Sequence, residues 1–246
     1  MSIESVDDLL KLRRAGSVTR ETIEAMKAAV RPGISTRELD DIALAVMQRH
    51  GARSAPMLVY DFPAATCISV NEEIVHGIPG PRVLAPGDLV KLDVTVELDG
   101  VMTDACETVA VPPARKEDLR LIECAQASFE AGLREAKPGA RAFHIGAAIQ
   151  RTVARAGFSV VRELTGHGIG RTIHEEPMIP NYGHPSFSHA LTEGLVFTIE
   201  PLVAAGSARA VTLGDGWTVR TRDRSRAAHY EHTVFVTSDG AERLTA

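Results

Sequence analysis

Residues 89–98, LVKLDVTVEL, alternate strictly, with Val90, Leu92, Val94 and Val96 on one face and Lys91, Asp93, Thr95 and Glu97 on the other. A period of two marks a strand with one face in the core and one face polar. Asp99-Gly100 follows, a dipeptide that closes two-residue hairpins, and VMTDACETVAV then continues as a second strand. If Leu98 pairs with Val101, Thr95 faces Asp104, and Asp93 and Asp104 are diagonal neighbours on one face. Elsewhere the pattern is helical. Apolar positions Val6, Leu9, Leu10 and Leu12, then Ile23, Met26 and Val30, predict a helix over 6–31. Ser35 followed by Glu38 is a capping box that starts a second helix at Thr36, running to His50. Pro112-Pro113 breaks the chain, and 115–136 is again an amphipathic helix.

The pattern recurs. RPGISTRELDDIALAVMQRHG at 31–51 is matched by KPGARAFHIGAAIQRTVARAG at 137–157, with Pro32 and Pro138, and Gly51 and Gly157, each 106 positions apart. GDLVKLD at 87–93 is matched by GLVFTIE at 194–200, 107 positions on, so a carboxylate, Asp93 or Glu200, stands at the same place in each copy. Helices followed by strands, given twice, predict an α+β fold with two halves related by a pseudo-twofold. We read residues 1–246 as a single catalytic domain with halves of about 1–112 and 113–246. Two halves that each supply an acid to a shared seam would build a two-metal site.

Composition narrows the class. The chain has 246 residues, 44% hydrophobic and 24% charged, as in an ordinary globular protein large enough to bury its own core. A net charge of -5 argues against nucleic acid as a partner, which calls for a basic excess. The run Arg220, Arg222, Arg224 and Arg226 alternates with Thr, Asp and Ser and fits a solvated strand face. Cys67, Cys106 and Cys124 are too few and scattered for a disulfide framework or a thiolate zinc site. Residues 1–30 hold no apolar signal segment, and no run of about 18 apolar residues could span a membrane. A cytoplasmic location is expected.

Three further segments carry chemistry. TGHGIGRTIHEEP at 165–177 sets His167 between two glycines, which allow close approach to a ligand, and brings His174 seven residues later. LVFTIEPLV places Glu200 in an apolar run before a proline, and AHYEHTVFV places Glu231 in another. An ionised carboxylate in such surroundings must be paired or metal-bound. Asp93 and Asp104 alone could be a solvated polar face; with His167, Glu200 and Glu231 they form a ligand set of oxygens and one imidazole. Such a set suits Mn²⁺, Fe²⁺ or Co²⁺, with Zn²⁺ possible. Five protein ligands exceed what one catalytic ion with an open position uses, so two divalent ions are expected, a pair that yields hydroxide from water at neutral pH.

These residues resemble the type I methionine aminopeptidases of the pita-bread metallopeptidase fold. CISVNEEIVHGIP (67–79), KLDVTV (91–96), TDACETV (103–109), TGHGIGRTIHEEP (165–177), FTIEP (197–201) and GWTVRTRDRSRAAHYEHTVFVT (216–237) are similar to that family's segments, in order, across about residues 6–240. The resemblance implies a curved antiparallel sheet with outer helices and removal of N-terminal methionine before a small second residue. It implies that Asp93 chelates one ion, that Asp104 and Glu231 bridge both, and that His167 and Glu200 complete the other. Glu200 would shuttle the proton, His76 would hydrogen-bond the scissile amide, and His174 would support the developing oxyanion. Phe62, Cys67 and Trp217 would hold the substrate side chain. Where the family has a cysteine and two tyrosines, Pro56, Val59 and Phe62 stand here, and Ile173 takes a usually aromatic position, so first-residue specificity could be relaxed. A proline-directed relative of aminopeptidase P or prolidase type is the alternative, but those carry a large domain before the catalytic one. Only 31 positions separate Glu200 from Glu231, too few for the type II insertion. With no zinc-finger extension, a bacterial-style monomer acting on nascent polypeptides at the ribosome is expected.

Overall fold

The computed structural model describes all 246 residues. In chain order, α1 (Val6–Ala29) and α2 (Thr36–Arg49) precede β1 (Arg53–Ser54), the short helix α3 (Ala55–Tyr60), β2 (Cys67–Val70), β3 (Glu73–Val75) and the hairpin of β4 (Leu89–Leu98) and β5 (Val101–Ala110). There follow α4 (Lys116–Glu135), α5 (Ala142–Ala156), β6 (Ser159–Val160), β7 (Gly166–Gly168), β8 (Glu175–Ile179) and β9 (Val196–Ile199). The chain ends with β10 (Leu202–Ala204), β11 (Ala210–Thr212), β12 (Val219–Thr221), β13 (Ala227–His229), β14 (Glu231–Val236) and β15 (Ala241–Arg243).

The main sheet is antiparallel, in the order β1-β4-β5-β14-β9-β7-β8, with β2 also on β4 and β15 also on β14. Its centre is β14, which pairs β5 of the first half on one side and β9 of the second on the other. Two helix pairs cover one face. Leu12, Met26 and Leu39 of α1 and α2 pack with Leu92, Val94 and Val96 of β4. Phe129, Ile145 and Ile149 of α4 and α5 pack with Phe197 and Ile199 of β9 and Val234 of β14. Helix α5 begins 106 positions after α2, the spacing of the sequence repeat. Expected helix ends hold to within two residues, and the capping box is present, with Ser35 Oγ accepting the Glu38 N–H and Glu38 accepting the Ser35 N–H. No helix is long and apolar enough to cross a membrane.

The hairpin register is the expected one, with Leu98 opposite Val101 and Thr95 opposite Asp104. The polar face of β4 departs from expectation: Lys91, Thr95 and Glu97 are buried, because β3, β13 and α3 pack over it. Lys91 is 1% exposed, and its Nζ donates to the carbonyls of Asn71 (2.8 Å) and Ala227 (3.2 Å), one from each half of the chain. Burial pulls its ammonium pKa down to about 7. The arginine run is likewise not one strand face. Arg222 and Arg224 lie in an exposed turn, while Arg226 pairs with Asp118 at 2.9 Å.

Candidate two-metal active site

The face of the sheet turned away from the helix pairs forms one wall of a cavity of about 280 Å³. All five expected ligands, Asp93, Asp104, His167, Glu200 and Glu231, line it, together with His76 and His174. Strand pairing explains the convergence. Asp93 and Asp104 are diagonal across the β4–β5 hairpin, and Glu231 is opposite Cys106 on β14, one step over from β5. Glu200 follows β9, the other neighbour of β14, and His167 is the middle residue of β7, the next strand out.

Threonines fix these strands. Thr233 Oγ1 accepts the Asp104 N–H and donates to the Asp104 carbonyl, both at 2.8 Å. Thr198 Oγ1 accepts the His167 N–H (3.0 Å) and donates to Glu200 Oε1 (2.8 Å). His167 Nδ1–H donates to the Gly168 carbonyl at 3.0 Å, which leaves the lone pair of Nε2 facing Glu200 Oε1, 3.6 Å away. A ring held this way is oriented as a metal ligand. Gly166 and Gly168 permit the approach: a Cβ on Gly168 would lie 2.2 Å from the Glu176 carbonyl oxygen, and one on Gly166 2.5 Å from that of Thr198. His76 takes a left-handed φ of 58°, uncommon for a residue with a side chain, in a turn where Ser69 Oγ accepts the Gly77 N–H.

The electrostatics ask for cations. Burial pushes the Asp93, Glu200 and Glu231 carboxyls well above the ordinary range, helped by their mutual repulsion, and burial raises Asp104 to about 7. Burial lowers the imidazoles, His76 to about 4 and His167 to about 3, so each is neutral and able to ligate or hydrogen-bond. Asp104 Oδ1 and Glu231 Oε1 are buried without any hydrogen-bond partner. Ligand atoms of Asp104, His167 and Glu231 lie within 4.8 Å of one another, as do those of Glu200, His229 and Glu231. Two groups sharing Glu231, with orphaned carboxylate oxygens between them, fit two divalent ions.

Phe62, Cys67 and Trp217 form the apolar end of the cavity, with the Phe62 and Trp217 rings edge-on at 5.1 Å. Asp40 steadies the approach to Cys67 by accepting the N–H groups of Ala65 and Thr66. Pro56 and Ile173 also reach the cavity, but Val59 does not. It packs against the first core, and Tyr60, the next residue on the short helix, faces the cavity instead. Sequence reasoning missed Tyr60 because one turn of helix in an all-apolar run has no periodicity to orient it. It missed His229 as well, a buried ring whose two nitrogens have no hydrogen-bond partner and whose Nε2 is 3.3 Å from Glu231. The alternation of His229 with Glu231 in AHYEH was the available signal.

Comparison with known proteins decides the family. The profile of metallopeptidase family M24 matches residues 10–238. Methionine aminopeptidase 1 of Bacillus subtilis is 44% identical over 95% of this chain and 94% of its own length. The chain belongs to metallopeptidase family M24, in its type I methionine aminopeptidase branch. Methionine aminopeptidase of Escherichia coli, also 44% identical, covers all of this chain with 94% of its own. The crystal structure of methionine aminopeptidase from Rickettsia prowazekii superposes with a TM-score of 0.96 at 40% identity, covering both chains fully. A prolidase from Pyrococcus furiosus, 23% identical, has a TM-score of 0.80 over 99% of this chain and 65% of its own, a likeness of fold alone. The M24 chain described here is therefore a metal-dependent aminopeptidase with the half-barrel sheet and outer helices of the pita-bread fold.

Proposed function

We propose that the protein removes the N-terminal methionine from polypeptides whose second residue is small. The observation that carries this reading is the cavity: a two-ion ligand set at one wall, an apolar end at Phe62, Cys67 and Trp217, and His76 and His174 lining the same space. Its volume of about 280 Å³ suits a terminal residue and little more, which favours an exopeptidase and a small neighbour. A thioether side chain makes adaptable contacts with aromatic edges and a thiol.

Asp93, Asp104, His167, Glu200 and Glu231 would hold two divalent ions, which when bound supply Lewis acidity and lower the pKa of water. Glu200, with Oε1 held by Thr198, keeps its second oxygen free to take and return a proton. Its burial favours the protonated form, which a proton shuttle must be able to adopt. His76 would hydrogen-bond the scissile amide, and His174 would donate to the substrate carbonyl oxygen as negative charge develops. The buried Cys67 thiol, raised by burial and by Asp93, is a packing surface rather than a nucleophile. The substrates are nascent chains in the cytoplasm, and the protein acts as a monomer.

The test is a peptide panel on protein stripped by a chelator and reloaded with Mn²⁺ or Co²⁺. Release of methionine from Met-Ala and Met-Gly peptides only after reloading is expected, with weaker cleavage of leucine- or norleucine-initiated peptides. Turnover in verified metal-free protein, or cleavage confined to Xaa-Pro peptides, would overturn the reading.

A further inference from the structure

We infer that Tyr60 is a positioning residue: its phenol fixes the tautomer of His174 so that Nε2–H, not a lone pair, is presented to the substrate. The inference rests on the role proposed above for His174 and names what makes that imidazole a donor.

Tyr60 Oη lies 2.6 Å from His174 Nδ1, with the two rings tilted by 40° and their centroids 5.6 Å apart. This is the only hydrogen bond of the His174 side chain. A phenol O–H is a strong donor and a poor acceptor, whereas an unprotonated imidazole nitrogen is a good acceptor, so the proton of the short contact belongs to Oη. Burial raises the Tyr60 phenol above its ordinary value, which keeps that proton in place. With Nδ1 engaged as an acceptor, the neutral ring must carry its hydrogen on Nε2.

His167 shows the converse arrangement 4.2 Å away, centroid to centroid. Its Nδ1 faces a backbone carbonyl, which can only accept, so the hydrogen is on Nδ1 and Nε2 offers a lone pair to the carboxylate cluster. Two adjacent imidazoles are thus set to opposite tautomers by opposite partners. One becomes a ligand and the other a donor.

The chain around Tyr60 is built to hold the phenol still. Ser54 Oγ accepts the Met57 N–H at the start of α3, and Asp61 ends it with a left-handed φ of 53°. Val59 is packed into the first core on one side of Tyr60, and Phe62 is seated on Trp217 on the other. The phenol therefore hangs from a turn anchored at both neighbours, while the tyrosine is 40% exposed at the mouth of the cavity. An exposed tyrosine with one short contact to one imidazole contributes little to the core, so its removal tests positioning rather than folding.

The experiment uses the whole protein, ¹⁵N-labelled at histidine and loaded with diamagnetic Zn²⁺, with His174 assigned by its absence from the His174→Ala spectrum. The parent should show His174 Nδ1 at the unprotonated shift and Nε2 at the protonated one. In Tyr60→Phe both shifts should move toward the average of two tautomers. In the Mn²⁺ enzyme, kcat on a Met-Ala peptide should fall about tenfold, with KM within about twofold and metal content unchanged, as for one lost hydrogen bond felt in the transition state. A parent His174 protonated at Nδ1, or a Tyr60→Phe variant with parental shifts, would overturn the inference. Parental kcat in Tyr60→Phe beside a slow His174→Ala would overturn the positioning role alone. Parental kcat in His174→Ala would remove the role of His174 itself.

Discussion

Gly168→Ala is the smallest change that should disable the metal site without touching a ligand. The φ of Gly168 is not left-handed, so the cost is steric rather than conformational. The added Cβ would lie 2.2 Å from the Glu176 carbonyl oxygen, 2.7 Å from its carbon and 2.9 Å from the Glu175 oxygen. All three are backbone atoms of the paired strand and cannot rotate away, so β7 and β8 must separate by about 1 Å to reach ordinary contact. Overpacking of this kind costs about 1–3 kcal/mol. In a chain of this size each kcal/mol lowers Tm by roughly 2–4 °C, so a fall of about 2–12 °C is expected. The same movement carries the adjacent His167 off its bearing, and ion affinity should weaken about 10–100-fold, as when an orienting partner of a ligand is lost. Thermal scans of chelated protein and a Mn²⁺ titration measure both effects. Gly214→Ala, where a Cβ meets nothing within 4 Å, is the control and should match the parent. If Gly168→Ala melts within 2 °C of the parent and binds both ions normally, close strand approach is not what positions His167.

Asp104→Asn and Glu231→Gln should abolish peptidase activity, yet in metal-free form each should melt above the metal-free parent, since a buried carboxyl with an unpartnered oxygen is gone. Calorimetry and peptide assays check the pair together. The pH dependence follows from the raised carboxyls. With a folded pKa of about 7 against about 3.9 unfolded, Asp104 favours the metal-free fold fully in acid, and that contribution is lost as pH rises through about 7. The depressed histidines act in the opposite sense, but only below their ordinary value near 6.5. Metal-free Tm should therefore fall as pH rises from about 6.5, where the histidines cease to offset it, to just above 7, and saturating Mn²⁺ should remove the fall. By the same linkage ion binding releases protons, so affinity should drop below pH 7, measurable by titration calorimetry in buffers of different ionisation enthalpy. Lys91→Met should cost about 1–3 kcal/mol by stranding the Ala227 carbonyl, since the Asn71 carbonyl keeps the Ala227 N–H, read as lower Tm in thermal scans; an unchanged Tm would show that water replaces the ammonium.

What was legible in the sequence was local or repeated. The β4–β5 hairpin could be placed to the residue because alternation and an Asp-Gly turn fix register within a few positions. The capping box at Ser35 marked its helix for the same reason. The meeting of Asp104 with Glu231 is different in kind, since it depends on β14 lying between β5 and β9, a pairing across more than a hundred residues that no short pattern encodes. The resemblance to relatives supplied it. Alternation also misled on β4, because a polar face reads alike whether water or a buried site covers it, and Lys91 carries no local sign of its two carbonyl partners. Tyr60 and Val59 were exchanged because the orientation of a one-turn helix is decided by what packs around it.

The central place of β14 has a consequence in time. Glu231 begins a strand that belongs to neither half alone, and it is synthesised after both of the strands it joins. The local hairpin and both helix pairs can form while synthesis continues, but the seam cannot close until residues 231–236 have been inserted. An incomplete chain thus holds three of its four clustered carboxylates without the shared one. Residues 1–230 alone therefore cannot assemble the two-ion ligand set.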